Sequence, residues 1–419
     1  MPATRQQQVA AAVLANALEW YDFVVFGFLT VIIAKLFFPA ESDYSALLFT
    51  TATFGVGFFT RPIGGVMLGV YADRHGRKKA MQIIIALMSV SLLTIAVAPP
   101  YASIGVAAPI LIVFARLLQG FATGGQYAIA TSFLVEVAPP GRRCFYGSLQ
   151  QIGQALAALG GAAAGMFVTI GLSTEALESW GWRLPFIFGL IIAPVGIYIS
   201  RHLEETDEFV ELKRTIGTRQ PLLTLLRENL RGALVTFGLI ICGTISYYII
   251  LIYMPTFAQK QLGISPGDSF KVQFAALICL TVVIPLVGML ADRIGLRPLL
   301  ITGALLLLVT LYPLFARTHA APTVANLLLM QVILCSAMGV YFGGVATAVA
   351  EQFPPGVRST GLSLSYNLAV MMFGGFAQFI VTWLIGTTGS PIAAAYYVMF
   401  GAAVGFGAAC FVRPQARNR

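Results

Sequence analysis

The chain has 419 residues, 58% of them hydrophobic and only 10% charged, with a formal net charge of +9 and a mean hydropathy of +0.83. About a quarter of a soluble globular domain is charged, so this composition excludes one, and the long continuous apolar runs exclude the alternating strands of a transmembrane β-barrel. What remains is an all-α membrane protein whose basic excess reports membrane topology and anionic lipid rather than nucleic acid.

A spanning helix needs roughly 20 mostly apolar residues. Twelve segments meet that need: 10–37, 46–71, 80–98, 106–136, 144–171, 183–200, 232–258, 270–290, 298–316, 323–350, 359–386 and 391–411. The polar stretch 201–231 separates the first six from the last six. It holds Glu204-Glu205-Thr206-Asp207-Glu208, then Lys213, Arg214, Arg219, Arg227 and Arg231. The predicted organisation is an N-terminal six-helix bundle over 1–200, a linker loop over 201–231 and a C-terminal six-helix bundle over 232–419. The N-terminus runs straight into the first span, so no cleavable signal peptide is expected.

Lys and Arg placement orients the spans. With the N-terminus inside, most of the 26 basic residues fall in cytoplasmic segments. Only Lys35, Arg183, Lys260, Lys271 and Arg317 lie outside, while Arg61 and Arg116 sit within spans. Both termini of this multi-pass chain are therefore expected on the cytoplasmic side of the membrane.

The residues that carry chemistry follow in chain order. Glu19 and Asp22, three apart in the first span, share roughly one helix face. Two carboxylates in low dielectric make a candidate proton-coupling site. Arg61 in the second span and Arg116 in the fourth are charges in a medium that penalises them, and such residues face a cavity or a partner. Guanidinium forks bind carboxylates in bidentate fashion, so the two suit a di- or tricarboxylate substrate. The competing reading pairs each Arg with Glu19 or Asp22 as helix-joining structure. Gln151 and Gln154 in the fifth span and Tyr366 and Asn367 in the eleventh are the preferred polar substrate contacts. Gln119, Gln126, Tyr127, Gln150, Tyr247, Tyr248, Tyr341 and Gln378 are weaker members of that set. Any of these polar groups can instead join helices.

Loop residues form a further group. Acids and bases at helix ends can pair across to the other half and lock the inside shut. Asp73, Arg77, Glu136, Arg143, Asp292, Glu351 and Arg358 are the expected cytoplasmic gate, with the Pro-Pro-Gly turns after Glu136 and Glu351 stopping their helices. The five cysteines show no metal spacing, the three histidines are scattered, and no P-loop is present. No metal, cofactor or nucleotide is expected; the coupling ion would be a proton. An enzyme is not expected, since no nucleophile–base or metal constellation is visible. A non-transporting receptor is the remaining alternative class, and no signalling domain supports it.

The chain also repeats itself. Gly69-Val70-Tyr71-Ala72-Asp73-Arg74-His75-Gly76-Arg77-Lys78 returns as Gly288-Met289-Leu290-Ala291-Asp292-Arg293-Ile294-Gly295-Leu296-Arg297. Glu136 to Arg143 returns as Glu351 to Arg358, and Gly160-Gly161 as Gly374-Gly375. A near-constant offset of roughly 215 residues means two copies of one unit, which in a membrane protein suggests alternating access about a central site. Gly161-Ala162-Ala163-Ala164-Gly165 fits GxxxG, and packing within one chain is the expected use, so a monomer is expected.

Two six-helix halves joined to the loop pattern GxxxDRxGRK resemble the major facilitator superfamily. Within it, Asn16-Ala17-Leu18-Glu19-Trp20-Tyr21-Asp22-Phe23, Arg61-Pro62-Ile63-Gly64-Gly65 and Arg116-Leu117-Leu118-Gln119-Gly120 resemble the metabolite:proton symporters. These include carriers of citrate, tricarballylate, α-ketoglutarate, shikimate and proline or betaine. Phe145-Tyr146-Gly147-Ser148-Leu149-Gln150-Gln151 and the stretch 351–367 resemble the citrate and tricarballylate branch. The resemblance implies twelve helices in two pseudo-symmetric bundles and proton-coupled uptake of a small organic anion, with an osmolyte such as betaine or proline as the alternative cargo. One departure stands out. Many relatives have Gly-Gly-Glu-Tyr where this chain has Gly124-Gly125-Gln126-Tyr127, and Gln does not titrate.

Overall fold

A computed structural model of the chain describes residues 5–75, 77–191, 194, 228–354 and 358–413. Every element among the described residues is helical. We number the main helices α1 (Arg5–Phe28, prolonged by Thr30–Phe37), α2 (Asp43–His75), α3 (Arg77–Val97), α4 (Ala107–Glu136) and α5 (Arg143–Gly171), followed by the short described helix α6 (Leu184–Gly189). The second half contributes α7 (Leu230–Gln261), α8 (Pro266–Ile294), α9 (Leu296–Ala320), α10 (Val324–Ala350), α11 (Arg358–Thr388) and α12 (Ala393–Cys410). Nine helices among the described residues are long and apolar enough to cross a membrane. In α3 the described apolar stretch is the shorter Gln82–Val97. Most of the predicted span 183–200 beyond Ile191, and nearly all of the linker 201–231, lie outside the described residues.

Local chemistry sets the helix ends. Ser265 accepts from Asp268 N at 3.1 Å and Pro266 opens α8, the N-cap arrangement that satisfies an orphan amide. Thr323 does the same for α10 through Asn326 N at 3.2 Å. Gly295, the glycine of the second loop motif, closes α8 at φ +92°. A side chain at that φ would be strained, so the turn into α9 requires glycine.

Helix crossings decide where the charged residues end up. At the α2–α4 crossing, a Cβ added at Gly120 would collide with the Gly57 carbonyl oxygen, and one at Gly124 with the Arg61 carbonyl oxygen. Backbones that close bring the arginines of both helices into one region. Gly120→Ala is expected to destabilise the protein by about 1–3 kcal/mol, read as an earlier melting transition in detergent. Gly407→Ala, where nothing lies within 4 Å of the added carbon, should leave the transition in place. An equal effect of both would mean the crossing is not tight.

The two halves meet along two seams, α2 against α11 and α5 against α8. Exchanging the halves turns one seam into the other, which is what a two-fold relation between repeats demands. Small residues line both. A Cβ on Gly375 would come within 2.6 Å of Phe58, one on Gly165 within 2.6 Å of Phe270, and one on Gly288 within 2.6 Å of Ser148 Oγ. Gly161 faces Val24 of α1, so both glycines of the GxxxG segment pack inside the chain. Three helices depart from regular α geometry near the centre. α4 breaks at Gly124-Gly125, and π turns run over Tyr247–Tyr253 of α7 and Val370–Gly374 of α11. Such turns re-aim side chains and recur at functional sites.

Candidate functional site

Between the halves lies a void of about 30 Å³, lined by Trp20, Tyr127, Gln151, Gln154, Tyr247 and Tyr366 together with Tyr248 and further residues of α7 and α10. That volume holds about one water molecule. A void of that size is too small for an organic anion in this conformation. Rings from both halves line it. Tyr127 of α4 and Tyr366 of α11 stack nearly parallel, with centroids 3.8 Å apart at 6°. Trp20 of α1 meets Tyr247 of α7 edge-on at 5.5 Å.

The predicted amides sort by register. Gln151 and Gln154 of α5 reach the void. Gln150 turns the other way, where its Nε2 donates to Asn16 Oδ1 at 3.2 Å and its carbonyl accepts from Asn16 Nδ2 at 3.0 Å. Tyr366 lines the void and lies within the field of Arg61. Asn367 does not line it: its Nδ2 donates to the Gly124 carbonyl at 2.6 Å and to Ser363 Oγ at 3.2 Å. In this conformation Asn367 satisfies the α4 break from across the seam, because the break at Gly124-Gly125 leaves that carbonyl without a helical partner.

Arg61 and Arg116 are buried, Arg116 completely. Arg61 Nε donates to Thr123 Oγ1 at 3.0 Å. Its guanidinium lies over Trp20 at 5.2 Å, Phe23 at 4.8 Å and Phe58 at 4.8 Å. Arg116 Nη1 donates to Gln119 Oε1, and its guanidinium lies over Phe23 at 4.6 Å, Phe26 at 4.5 Å and Phe54 at 5.0 Å. Its Nε and Nη2 have no hydrogen-bond partner among the described residues. Among those residues neither guanidinium forms an ion pair with a carboxylate. Aromatic faces take the place of carboxylates: the negative ring face attracts a cation without a counter-charge, for up to about 2 kcal/mol when desolvated. The site thus holds two positive charges with donors to spare, the arrangement that accepts an anion.

The acids stand close by without closing onto these cations. Glu19 receives the Gln126 amide when that amide is turned with its nitrogen towards the carboxylate, and Arg61 is the cation whose field reaches it. Arg116 acts on Asp22 in the same way, with the Gln119 amide alongside. Neither Asp22 oxygen reaches full hydrogen-bonding geometry with a described residue. So α1, α2 and α4 together carry two acid–base pairs held just apart, each with a neutral amide beside it.

At the end of the bundle that carries the repeated loop motifs, the halves are tied. Glu136 of α4 and Arg358 of α11 pair at 3.0 Å. Asp292 accepts the amides of Cys144 and Phe145 at 2.7 and 3.1 Å, a carboxylate on the positive end of α5. Arg143 is exposed at that helix start, while Glu351 follows α10. The side chains of Asp73 and Arg77 lie outside the described residues. At the opposite end Lys260 of α7 pairs with Asp43 of α2 at 2.7 Å, and its hydrogen bond and charge hold that carboxylate below its ordinary range.

The aromatic surroundings of the arginines were not legible as a site from the sequence. Phe23, Phe26, Phe54 and Phe58 are apolar residues in apolar spans, and nothing in their spacing distinguishes rings that face a cation from rings that face lipid.

Comparison with known proteins bears on the same helices. A family profile described as Major Facilitator Superfamily matches residues 12–364. A citrate-proton symporter of Klebsiella pneumoniae is 38% identical over 397 residues, covering 95% of this chain and 89% of its own. A proline/betaine transporter of Salmonella typhimurium is 32% identical, covering 96% of this chain and 82% of its own. Among solved structures, a D-xylose-proton symporter superposes with a TM-score of 0.76 over 96% of both chains at 19% identity, a likeness of fold alone.

Proposed function

The chain belongs to the major facilitator superfamily, and from that membership we propose that it is a proton-coupled transporter of a di- or tricarboxylate, citrate and tricarballylate foremost. The observation that carries this reading is the pair of buried guanidiniums, Arg61 and Arg116, that lack a carboxylate partner among the described residues. Arg116 also keeps unfilled donors among the described residues; a buried cation so placed costs free energy unless a ligand fills it, and an organic anion is the ligand whose charge and fork geometry match. Gln151, Gln154, Tyr127 and Tyr366 would replace the hydration shell of the rest of the molecule. Asn367 joins them only when α11 parts from α4.

Coupling follows from the acids. A proton on Asp22 removes the charge nearest to Arg116 and leaves that guanidinium to the substrate carboxylate. Glu19 stands in the same relation to Arg61. With proton and anion aboard, the bundles 1–200 and 232–419 rock about the loaded site. The Glu136–Arg358 pair and the Asp292 contact open on the cytoplasmic side, with Asp73, Arg77, Arg143 and Glu351 in the same gate. The protein acts as a monomer in the inner membrane with both termini in the cytoplasm.

The second reading, a carrier of betaine or proline, has the Salmonella relative in its favour. An aromatic box is also how proteins hold quaternary ammonium groups. Here, however, those rings are already covered by the chain's own guanidiniums.

Counterflow in proteoliposomes separates the two. Vesicles loaded with citrate should accumulate labelled citrate, and an inward proton gradient should deepen uptake that an uncoupler abolishes. Exchange of betaine but no carboxylate would overturn the cargo, and indifference to the uncoupler would overturn the coupling.

A further inference from the structure

Phe23 is a ring that lies under both arginines. Its centroid is 4.8 Å from Arg61 Cζ and 4.6 Å from Arg116 Cζ. The rings around it divide between the two: Trp20 and Phe58 attend Arg61, Phe26 and Phe54 attend Arg116. Phe23 itself is buried, 1% exposed, and follows Asp22 directly in α1. Two like charges thus share one neutral, polarisable wall. Each has an acid in its field, Glu19 for Arg61 and Asp22 for Arg116. Neither forms an ion pair with that acid among the described residues. Collapse would fill the guanidinium forks and quench the site for an external anion.

We infer that Phe23 is a positioning residue of the anion site: by covering a face of each guanidinium it holds both off Glu19 and Asp22 and keeps their donors open to substrate. This rests on the carboxylate reading of the same site. It assigns Phe23 no contact with the substrate; its effect passes through the two arginines.

The test compares side chains at this position in the full-length protein in proteoliposomes, reading citrate KM and maximal rate separately. Phe23→Leu should raise KM roughly tenfold with the maximal rate little changed, because the ring attraction is lost while the volume is largely kept. Phe23→Met, which fills the space with a flexible side chain, should behave the same way and covers the case in which the leucine variant fails to fold. Phe23→Tyr keeps the ring and should restore KM to near the parent value. Combining Phe23→Leu with Arg116→Ala should add little to the KM of Arg116→Ala alone. A purely structural phenylalanine would instead lower the maximal rate or the melting temperature in every variant and leave KM alone. An unchanged KM in Phe23→Leu and Phe23→Met, or an equal rise in Phe23→Tyr, overturns the assignment. If Arg61→Ala and Arg116→Ala raise KM while the Phe23 variants do not, only the role of Phe23 falls. If the arginine variants leave KM unchanged, the anion site and this inference fall together.

Discussion

Arg61→Ala and Arg116→Ala should each raise the KM for citrate roughly 10- to 100-fold, since a hydrogen bond to a charged group is worth about 1.5–3 kcal/mol and each 1.4 kcal/mol is tenfold. The reason lies in what surrounds them. Both groups are buried, both rest on aromatic faces, and neither has spent its charge on an acid among the described residues. Arg61→Lys should recover only part of the loss, because a lysine keeps the charge but not the planar fork. The two arginines should differ in kind. Arg61 acts on Tyr366, which lines the void, so its loss should be felt as weaker binding. Arg116 stands near Tyr248 and bonds Gln119 beside Asp22, so its loss should also blunt the response to a proton gradient. Cys279→Ala, a change in α8 away from the arginines, serves as the control. A KM unmoved in both arginine variants would place the pocket elsewhere.

Asp22→Asn should abolish proton-driven accumulation while leaving counterflow within about threefold of the parent. Asparagine keeps the shape and the place beside Gln119 but carries no proton. The carboxylate it replaces is 1% exposed, lies in the field of Arg116 with a neutral amide alongside, and has no full hydrogen bond on either oxygen. A charge so placed is expensive unless something pairs it or protonates it, which is the property a coupling site needs. Glu19→Gln should be milder, because the Gln126 amide, turned with its nitrogen towards the carboxylate, stands beside Glu19. Undiminished gradient-driven uptake by Asp22→Asn would end the assignment of Asp22 to coupling. The same experiment bears on the departure at Gln126. Gln126 does not titrate, so the proposed coupling rests on the acids of α1.

Much of this was readable in the chain before any coordinates. The arginines announced themselves because hydrocarbon tolerates a charge only where it has a use. The helices announced themselves because a backbone in lipid must bond internally. The amides were harder. Gln150 and Gln154 share a face of α5 by spacing, yet Gln151 and Gln154 reach the void and Gln150 is taken by Asn16. Helical spacing says which side chains share a face, but the direction of that face is set by the neighbour that α1 provides. Asn367 donates to Gly124 O in this conformation, a bond across the seam to the break in α4 that spacing along α11 could not foretell.

Composition, repeat and charge placement determined the class of the molecule, the order of its spans and the shortlist of groups with chemistry, since each of these answers to the bilayer and needs no partner from elsewhere in the chain. Tertiary packing alone decided that the arginines would meet rings rather than acids. That outcome depends on how closely α2 approaches α4 at Gly57, Gly120 and Gly124, and on which side of α1 turns towards them. Contacts between residues far apart along the chain leave no trace in local spacing, so they become visible only when the helices are set side by side.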